Sequence, residues 1–419
     1  MKGLFLKIHH CFWIVFLFVF IPDLYGQKNL DFYIQTALKY SPLLKEYHNQ
    51  VELCRIDSLL MNVNLGLQYN AVSNNLYAPV IKGWGYDNAV TNGANISAQV
   101  SVSKEITGTH NRQNKFEALS LQNQSTLNSG KISELELKKD ITSQYISAFG
   151  SWQQFNFNTE MLNLMNKEKE ILKKLTEAGV SKQTDYLSFM VTLQQQELLA
   201  ERTKSQYQND FAMLNYTCGI EDTSFTTLTD PDLKADRGSE LSNSFFYKQF
   251  EIDSLKLVNS DQQIDFSYKP KISLVADGGY LSSFTYQPYK NFGVSAGVSV
   301  IIPLFKEGTK KMQHDQVIIK QMTRMAYREF FSIQFHQQNN LLNQQLTDKQ
   351  RIEEKIKLQI VYTQALMDAY RLLLEKGDVQ ITEYLLSVGN FMSAKNLSLE
   401  NTTEKYQIIN ELNYWNQKK

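Results

Sequence analysis

The sequence predicts an α+β membrane protein. Long antiparallel helical hairpins form an α-barrel, and four strands per chain contribute to a trimeric 12-stranded transmembrane β-barrel. Three observations carry this expectation. The 419-residue chain holds only seven prolines, and none lies between Val80 and Asp230 or after Pro303, so two long tracts lack the residue that breaks helix interiors. Short segments of period-two alternation interrupt those tracts, as strands with one apolar face do. The whole pattern occurs twice.

The N-terminus reads as an address. Lys2 and Lys7 precede an unbroken apolar run from Cys11 to Ile21, and Leu24-Tyr25-Gly26 leads into Gln27. That run is far shorter than the ~20 residues needed to cross a ~30 Å hydrocarbon core as helix. Residues 1–26 are therefore expected to be a secretory signal peptide cleaved near Gly26. Cys11 lies inside the run rather than at the cleavage site, which argues against a lipid anchor. Cleavage leaves Cys54 and Cys218, with no disulfide expected between them. Three cysteines in the whole chain are too few for a disulfide framework or a zinc cluster. Lys+Arg and Asp+Glu are balanced at 43 each, so there is no basic excess to attract nucleic acid.

The repeat is visible residue by residue. Ser97-Ala98-Gln99-Val100-Ser101-Val102 returns as Ser295-Ala296-Gly297-Val298-Ser299-Val300, 198 positions later. Gly179 and Gly377, Thr184-Asp185-Tyr186-Leu187 and Thr382-Glu383-Tyr384-Leu385, and Asn215 and Asn413 share that offset. After the signal peptide, residues 27–230 form a first repeat (helix, two strands, long helical hairpin) and 231–419 a second of the same plan, joined around Pro231-Asp232 to Gly238-Ser239.

Each repeat opens with a shorter helix, spanning Ile34 to Leu60 in the first and Leu241 to Ile264 in the second. A strand pair follows. Leu65, Leu67, Tyr69 and Ala71 alternate with polar or small residues, as do Ile96, Ala98, Val100 and Val102. Ile272, Leu274 and Ala276 give a weaker pattern, and Phe292, Val294, Ala296, Val298, Val300 and Ile302 the clearest. Tyr77, Trp84 and Tyr86 populate the first intervening loop, and Phe284, Tyr286 and Tyr289 the second. Aromatics at strand ends, with one strand face polar, match a membrane barrel. Then comes a helix of about 100 Å at 1.5 Å per residue, from Gly108 to Leu175 and again from Gly308 to Leu373. Gly179 and Gly377 follow as turn glycines, and return helices run to about Tyr216 and Tyr414.

Closure sets the oligomer. In lipid every backbone N–H and C=O needs an internal partner, so an open four-stranded sheet cannot persist there. Two copies would make eight strands, whose interior side chains fill. Three copies make twelve and leave a water-filled lumen.

The duplicated plan, the strand segments, the Pro303-Leu304-Phe305 junction from strand to helix and the glycine-centred turns resemble the TolC family of outer-membrane efflux channels, from about Leu30 to Tyr414. The resemblance implies a homotrimer in outer-membrane lipid with its helical tunnel in the periplasm. It implies docking by a periplasmic adaptor (membrane fusion) protein and energy from an inner-membrane pump of RND or ABC type, in a tripartite efflux or type I secretion system. Gly179, Val180 and Thr184, with Gly377 and Thr382, fall at the adaptor-docking tips of that family. Asp185 and Glu383 fall at its pore entrance, and Pro303 at the barrel-to-helix junction. Leu374 and Val379 stand where familiar members carry a tip-locking Tyr and Arg, and Leu386 where they carry a second acid. A plainer role for Thr184-Asp185 and Thr382-Glu383 is to start the return helices with capping hydroxyls and first-turn acids.

No chemistry is expected. His110, His314 and His336 lack metal-ligand spacing and read as solvated surface. No phosphate loop, nucleotide fingerprint or nucleophile elbow occurs. Glu168, Glu170, Glu353 and Glu354 read as salt-bridging helix surface. No enzyme activity, metal or cofactor is therefore expected. The alternative is a periplasmic coiled-coil scaffold without a channel; a porin is excluded because porins have short periplasmic turns.

Overall fold

The prolines and serines set where the first helices begin and stop. Pro42 has no N–H to give an α-helix, and the expected single helix from Ile34 to Leu60 is instead two: α1 (Leu30–Tyr40) and α2 (Pro42–Asn64). Ser41 serves both. Its N–H closes α1 on Ala37 O at 2.9 Å, and its Oγ accepts from Leu44 N at 3.4 Å to cap α2. In the second half, Leu241–Asn243 is a 3-10 turn rather than the start of a helix, and α5 (Phe245–Ser267) begins after Ser244, whose Oγ accepts from Tyr247 N at 3.1 Å. Helices α2 and α5 each have 23 residues, and their capping serines stand 203 positions apart, as do Leu44 and Tyr247.

In this computed structural model the described residues are 28–87, 93–221, 224–236, 240–283, 287–304 and 308–417. The expected signal peptide, Gly238-Ser239 of the joining segment, Phe284, Tyr286 and Phe305 lie outside them.

Strands β1 (Gln68–Tyr77), β2 (Ala94–Ile106), β3 (Lys271–Ser282) and β4 (Phe292–Ile301) form one antiparallel sheet in the order β1-β2-β3-β4. Strand β1 starts later than its alternation suggests, because Leu65 and Gly66 still satisfy the last carbonyls of α2, through Leu65 N to Met61 O and Gly66 N to Val63 O. The two halves meet at β2 and β3, where Val100 pairs with Gly278 and Val102 with Ala276. There β3 approaches so closely that a Cβ at Gly279 would lie 2.3 Å from the Ala98 carbonyl oxygen, so only glycine fits.

The long helices are α3 (Thr109–Glu177, 69 residues) and α6 (Thr309–Lys376, 68 residues), returning as α4 (Gln183–Cys218) and α7 (Ile381–Trp415). Far from the sheet their lateral order is α4-α3-α7-α6, and nearer the sheet it is α2-α3-α5-α6. One core binds α1, α3 and α4 to the segment around Leu228 through Tyr33, Tyr145, Phe211 and Leu214. A second joins the two hairpins through Met165, Leu172, Phe189, Leu374, Tyr384 and Val388. Interior amides stitch the upper helices: Asn114 Nδ2 donates to Asn259 O at 3.1 Å and Asn259 Nδ2 to Asn114 O at 3.0 Å.

The chain exposes 28204 Å², against roughly 17,000 Å² for a compact monomer of this mass. The outer elements carry many exposed apolar side chains. Helix α2 has no buried residue, and α6 buries only Phe335, Leu342, Ile356, Met367 and Leu374.

Candidate functional site

The sheet has two chemically distinct faces, fixed by register. Tyr69, Ala71, Val100, Val102, Ala276, Gly278, Val294 and Ala296 lie on one face, since Ala71 pairs with Val100, Val100 with Gly278 and Gly278 with Val294. Asn70, Ser101, Asp277 and Ser295 form a cross-sheet row on the other. Neither face has a layer packed on it: Val294 is 91% exposed on the first, and Asn70 and Ser295 are exposed on the second. Tyr77, Trp84, Tyr86, Tyr289 and Phe292, all exposed, gather where the hairpin loops leave the strands. The strands are 10 to 13 residues long, close to the ~9–11 that span a bilayer when tilted.

The sheet also has two open edges, β1 and β4, and the helices continue each of them. On the β1 side, α2 exposes Leu53, Ile56, Leu60 and Val63, while α4 exposes Leu187, Val191 and Leu198. On the β4 side, α6 exposes Ile319, Met322, Phe330 and Ile333 in its upper part and Leu358, Tyr362, Leu366 and Leu373 in its lower part. Spacings of three, four, seven and eight residues put each set on one helical seam.

At the far end, both hairpins turn through the same device. Gly179 N donates to Thr176 O and Val180 N to Leu175 O; Gly377 N donates to Leu374 O and Asp378 N to Leu373 O. These are two Schellman turns, with Gly179 at φ 76° and Gly377 at φ 78°. The turns touch: a Cβ placed on Gly377 would sit 2.6 Å from Val180 Cγ1. Leu374 and Val379 belong to the apolar core beneath, so the tips are joined by packing at these two positions.

Thr184, Asp185, Thr382 and Glu383 all lie in the first turns of α4 and α7, but the capping hydroxyls expected there are not caps. Lys182 and Gln380 hold the N-cap positions, and the exposed Thr184 and Thr382 stand two residues inside. Asp185 acts as a first-turn acid, its Oδ2 accepting from Lys182 N at 3.4 Å. Glu383 is exposed in the first turn of α7. Pro303 follows β4 and lines a cleft of about 720 Å³ with Tyr268, Leu304, Gly308, Lys310 and His314.

Two sequence expectations are corrected here. His314 is not solvated surface: its Nδ1 lies 2.6 Å from Asp261 Oδ1 and its Nε2 3.5 Å from Asp265, clasping α6 to α5. Glu168 is not a salt-bridging surface acid. It is buried in α3 beneath the tips, with Oε2 unpartnered, near the buried Tyr384 hydroxyl. Burial pushes its carboxyl above the usual range, opposed by Arg371 and reinforced by Glu375. Glu353 does pair, with Lys357 and Lys405, each at 2.7 Å. Because the folded-state pKa of Glu168 is raised, its relative stabilisation is full below the ordinary carboxylate range and is lost as pH rises through the raised value. The expected result for Glu168→Gln is a melting temperature a few degrees above the parent at pH 8, with the gap closing towards pH 4, read by thermal unfolding in detergent.

Among the described residues no helix is long and apolar enough to cross a membrane, and no group of three or more His, Cys, Asp or Glu could hold a metal. Cys54 and the buried Cys218 are both free.

The sequence matches no family model and no curated protein. The fold does match solved structures. CusC, whose structures are described in terms of folding and transmembrane channel formation, superposes with a TM-score of 0.76 at 14% identity, covering 94% of this chain and 93% of that one. The outer-membrane protein VceC of Vibrio cholerae gives 0.75 at 12% identity over 92% and 95%. The open state of the Neisseria gonorrhoeae outer-membrane channel MtrE gives 0.70 at 14% over 93% and 89%. The chain therefore has the fold of the TolC-type outer-membrane channels.

Proposed function

We propose that this chain is the outer-membrane channel-tunnel of a tripartite efflux or type I secretion system, passing substrates passively from periplasm to exterior without catalysis of its own. The observation that carries the reading is the pairing of edges. One side of the chain offers β1, α2 and α4, the other β4 and α6, and every one of these has an unpartnered strand edge or an exposed apolar seam. Such an interface is head-to-tail, and a head-to-tail interface either closes into a ring or runs on as a filament. Three copies close the sheet at twelve strands, with the Val100 face to lipid and the Ser101 face to water.

In that assembly residues 27–230 and 231–419 are quasi-equivalent repeats delivered after removal of 1–26. The tips at Gly179, Val180, Thr184, Gly377 and Thr382 face the periplasmic adaptor, Asp185 and Glu383 ring the entrance, and Pro303 turns the barrel wall into the tunnel wall. An inner-membrane pump of RND or ABC type supplies the energy.

The test is a cysteine pair across the predicted seam. Leu198 and Val361 lie equally far along α4 and α6 from their tips. In a Cys54→Ser background, Leu198→Cys with Val361→Cys should give a covalent trimer from outer-membrane fractions, absent with either cysteine alone. A monomer released by salt washing, with no crosslinked species, would replace the channel with the periplasmic scaffold.

A further inference from the structure

We propose that Asp277 is a charge filter at mid-height in the barrel, favouring cationic and neutral solutes over anionic ones. The inference rests on the barrel reading above and adds a selectivity element distinct from the entrance acids. Asp277 lies on β3, level with Ser101 on β2 and Ser295 on β4, on the polar face of the sheet. Its carboxylate is positioned from both sides: Ser295 Oγ donates to Oδ2 at 2.7 Å and Gln99 Nε2 to Oδ1 at 3.3 Å. Both neighbours are neutral, so they orient the charge without cancelling it.

The rest of that face is nearly free of charge. Among the described strand residues its other ionisable groups are Glu105 and Lys271, of opposite sign and both at the helix-side end, where Glu105 pairs with Ser273 and Lys271 with Ile301. The middle of the face thus carries a single negative charge per chain, set among Asn70, Ser97, Ser101, Ser299 and glycines. Small side chains around it leave the carboxylate facing open water in a closed barrel.

Screening decides whether three such charges matter. Twelve strands ~4.8 Å apart and tilted ~40° give a backbone radius of about 12 Å, and an aspartate reaches roughly 3 Å inward. The carboxylates then stand ~9 Å from the axis. That is within the ~10 Å Debye length of 0.1 M salt and well beyond the ~3 Å of 1 M salt. The field fills the lumen at low ionic strength and vanishes from its centre at high.

A labelling experiment reads this without depending on the state of the distant tips. Ser101→Cys, in a Cys54→Ser background, places a thiol across from Asp277. Intact cells are treated from outside with cationic and anionic methanethiosulfonates of similar size, with rates normalised to a free small-molecule thiol. The cationic reagent should react several-fold faster at 0.1 M salt, with the preference lost at 1 M. Asp277→Asn keeps an oxygen for Ser295 and should abolish the preference while the heat-sensitive trimer band remains; Asp277→Glu should retain it. A preference that persists in Asp277→Asn overturns the proposal and leaves the barrel standing. A Ser101→Cys that never reacts, while Val100→Cys does, overturns the barrel reading and this inference with it.

Discussion

Val100→Arg should abolish the outer-membrane trimer, whereas Ser101→Arg, one residue along the same strand, should preserve it. The two positions sit in β2 at mid-height, and their side chains point to opposite faces. In the separate chain Val100 is more than half exposed, beside Ala71 and Gly278, which leave ample room for an arginine. A free-standing sheet would therefore accept the change at little cost. Facing lipid, the guanidinium costs about 2–4 kcal/mol near the bilayer midplane, and a trimer bears it three times. At Ser101 the same group meets water and stands opposite Asp277. The measurement is the heat-modifiable band from outer-membrane fractions on unheated gels. Equal amounts of trimer from both variants would contradict the assignment of faces.

The fold was legible because its signals are local and doubled. Period-two alternation marked all four strands, and the absence of proline marked the long helices. The turn glycines Gly179 and Gly377 declared themselves by offset alone, and both adopt the left-handed conformation that a C-terminal turn needs. What the sequence obscured depends on neighbours. The start of α2 at Pro42 was masked because apolar residues continue across Ser41 on both sides. Glu168 sits in a stretch, Lys167-Glu168-Lys169-Glu170, whose charges suggest surface, yet helix rotation turns one of the four into the contact between hairpins. His314 lacked a partner in its own helix, and its carboxylates lie on α5, some fifty residues earlier. Asp277 carries no signal of its own in the sequence, because the alternation of β3 is weak and says nothing of which residues stand across from it; the ladder on both sides sets it level with Ser101 and Ser295. The acids at the entrance are the reverse case. Asp185 and Glu383 were chosen by resemblance, and the chain alone gives them first-turn positions that any helix would favour.

The largest loss of stability expected at the tips comes from Gly377→Ala, with Gly179→Ala as its internal standard. Both glycines hold nearly the same positive φ, so both alanines pay the left-handed penalty of about 1–2 kcal/mol. Only one meets an obstacle. Nothing lies within 4 Å of a Cβ on Gly179, whereas a Cβ on Gly377 would come to 2.6 Å from Val180 Cγ1. Val180 is exposed and must turn off its rotamer to make room, which adds about 0.5–1.5 kcal/mol. Gly377→Ala should therefore open the tips to protease at concentrations that leave Gly179→Ala intact. The excess should be relieved by Val180→Ala, which removes the obstructing methyl. That relief is the informative part, because it isolates contact between the two hairpins from strain within either. If Val180→Ala restores nothing, the turns do not meet in the assembled protein, and the first and second hairpins are free to move apart at the entrance. If it restores Gly377→Ala to the level of Gly179→Ala, the contact holds the hairpins together at the tips, above the packed Leu374 and Val379.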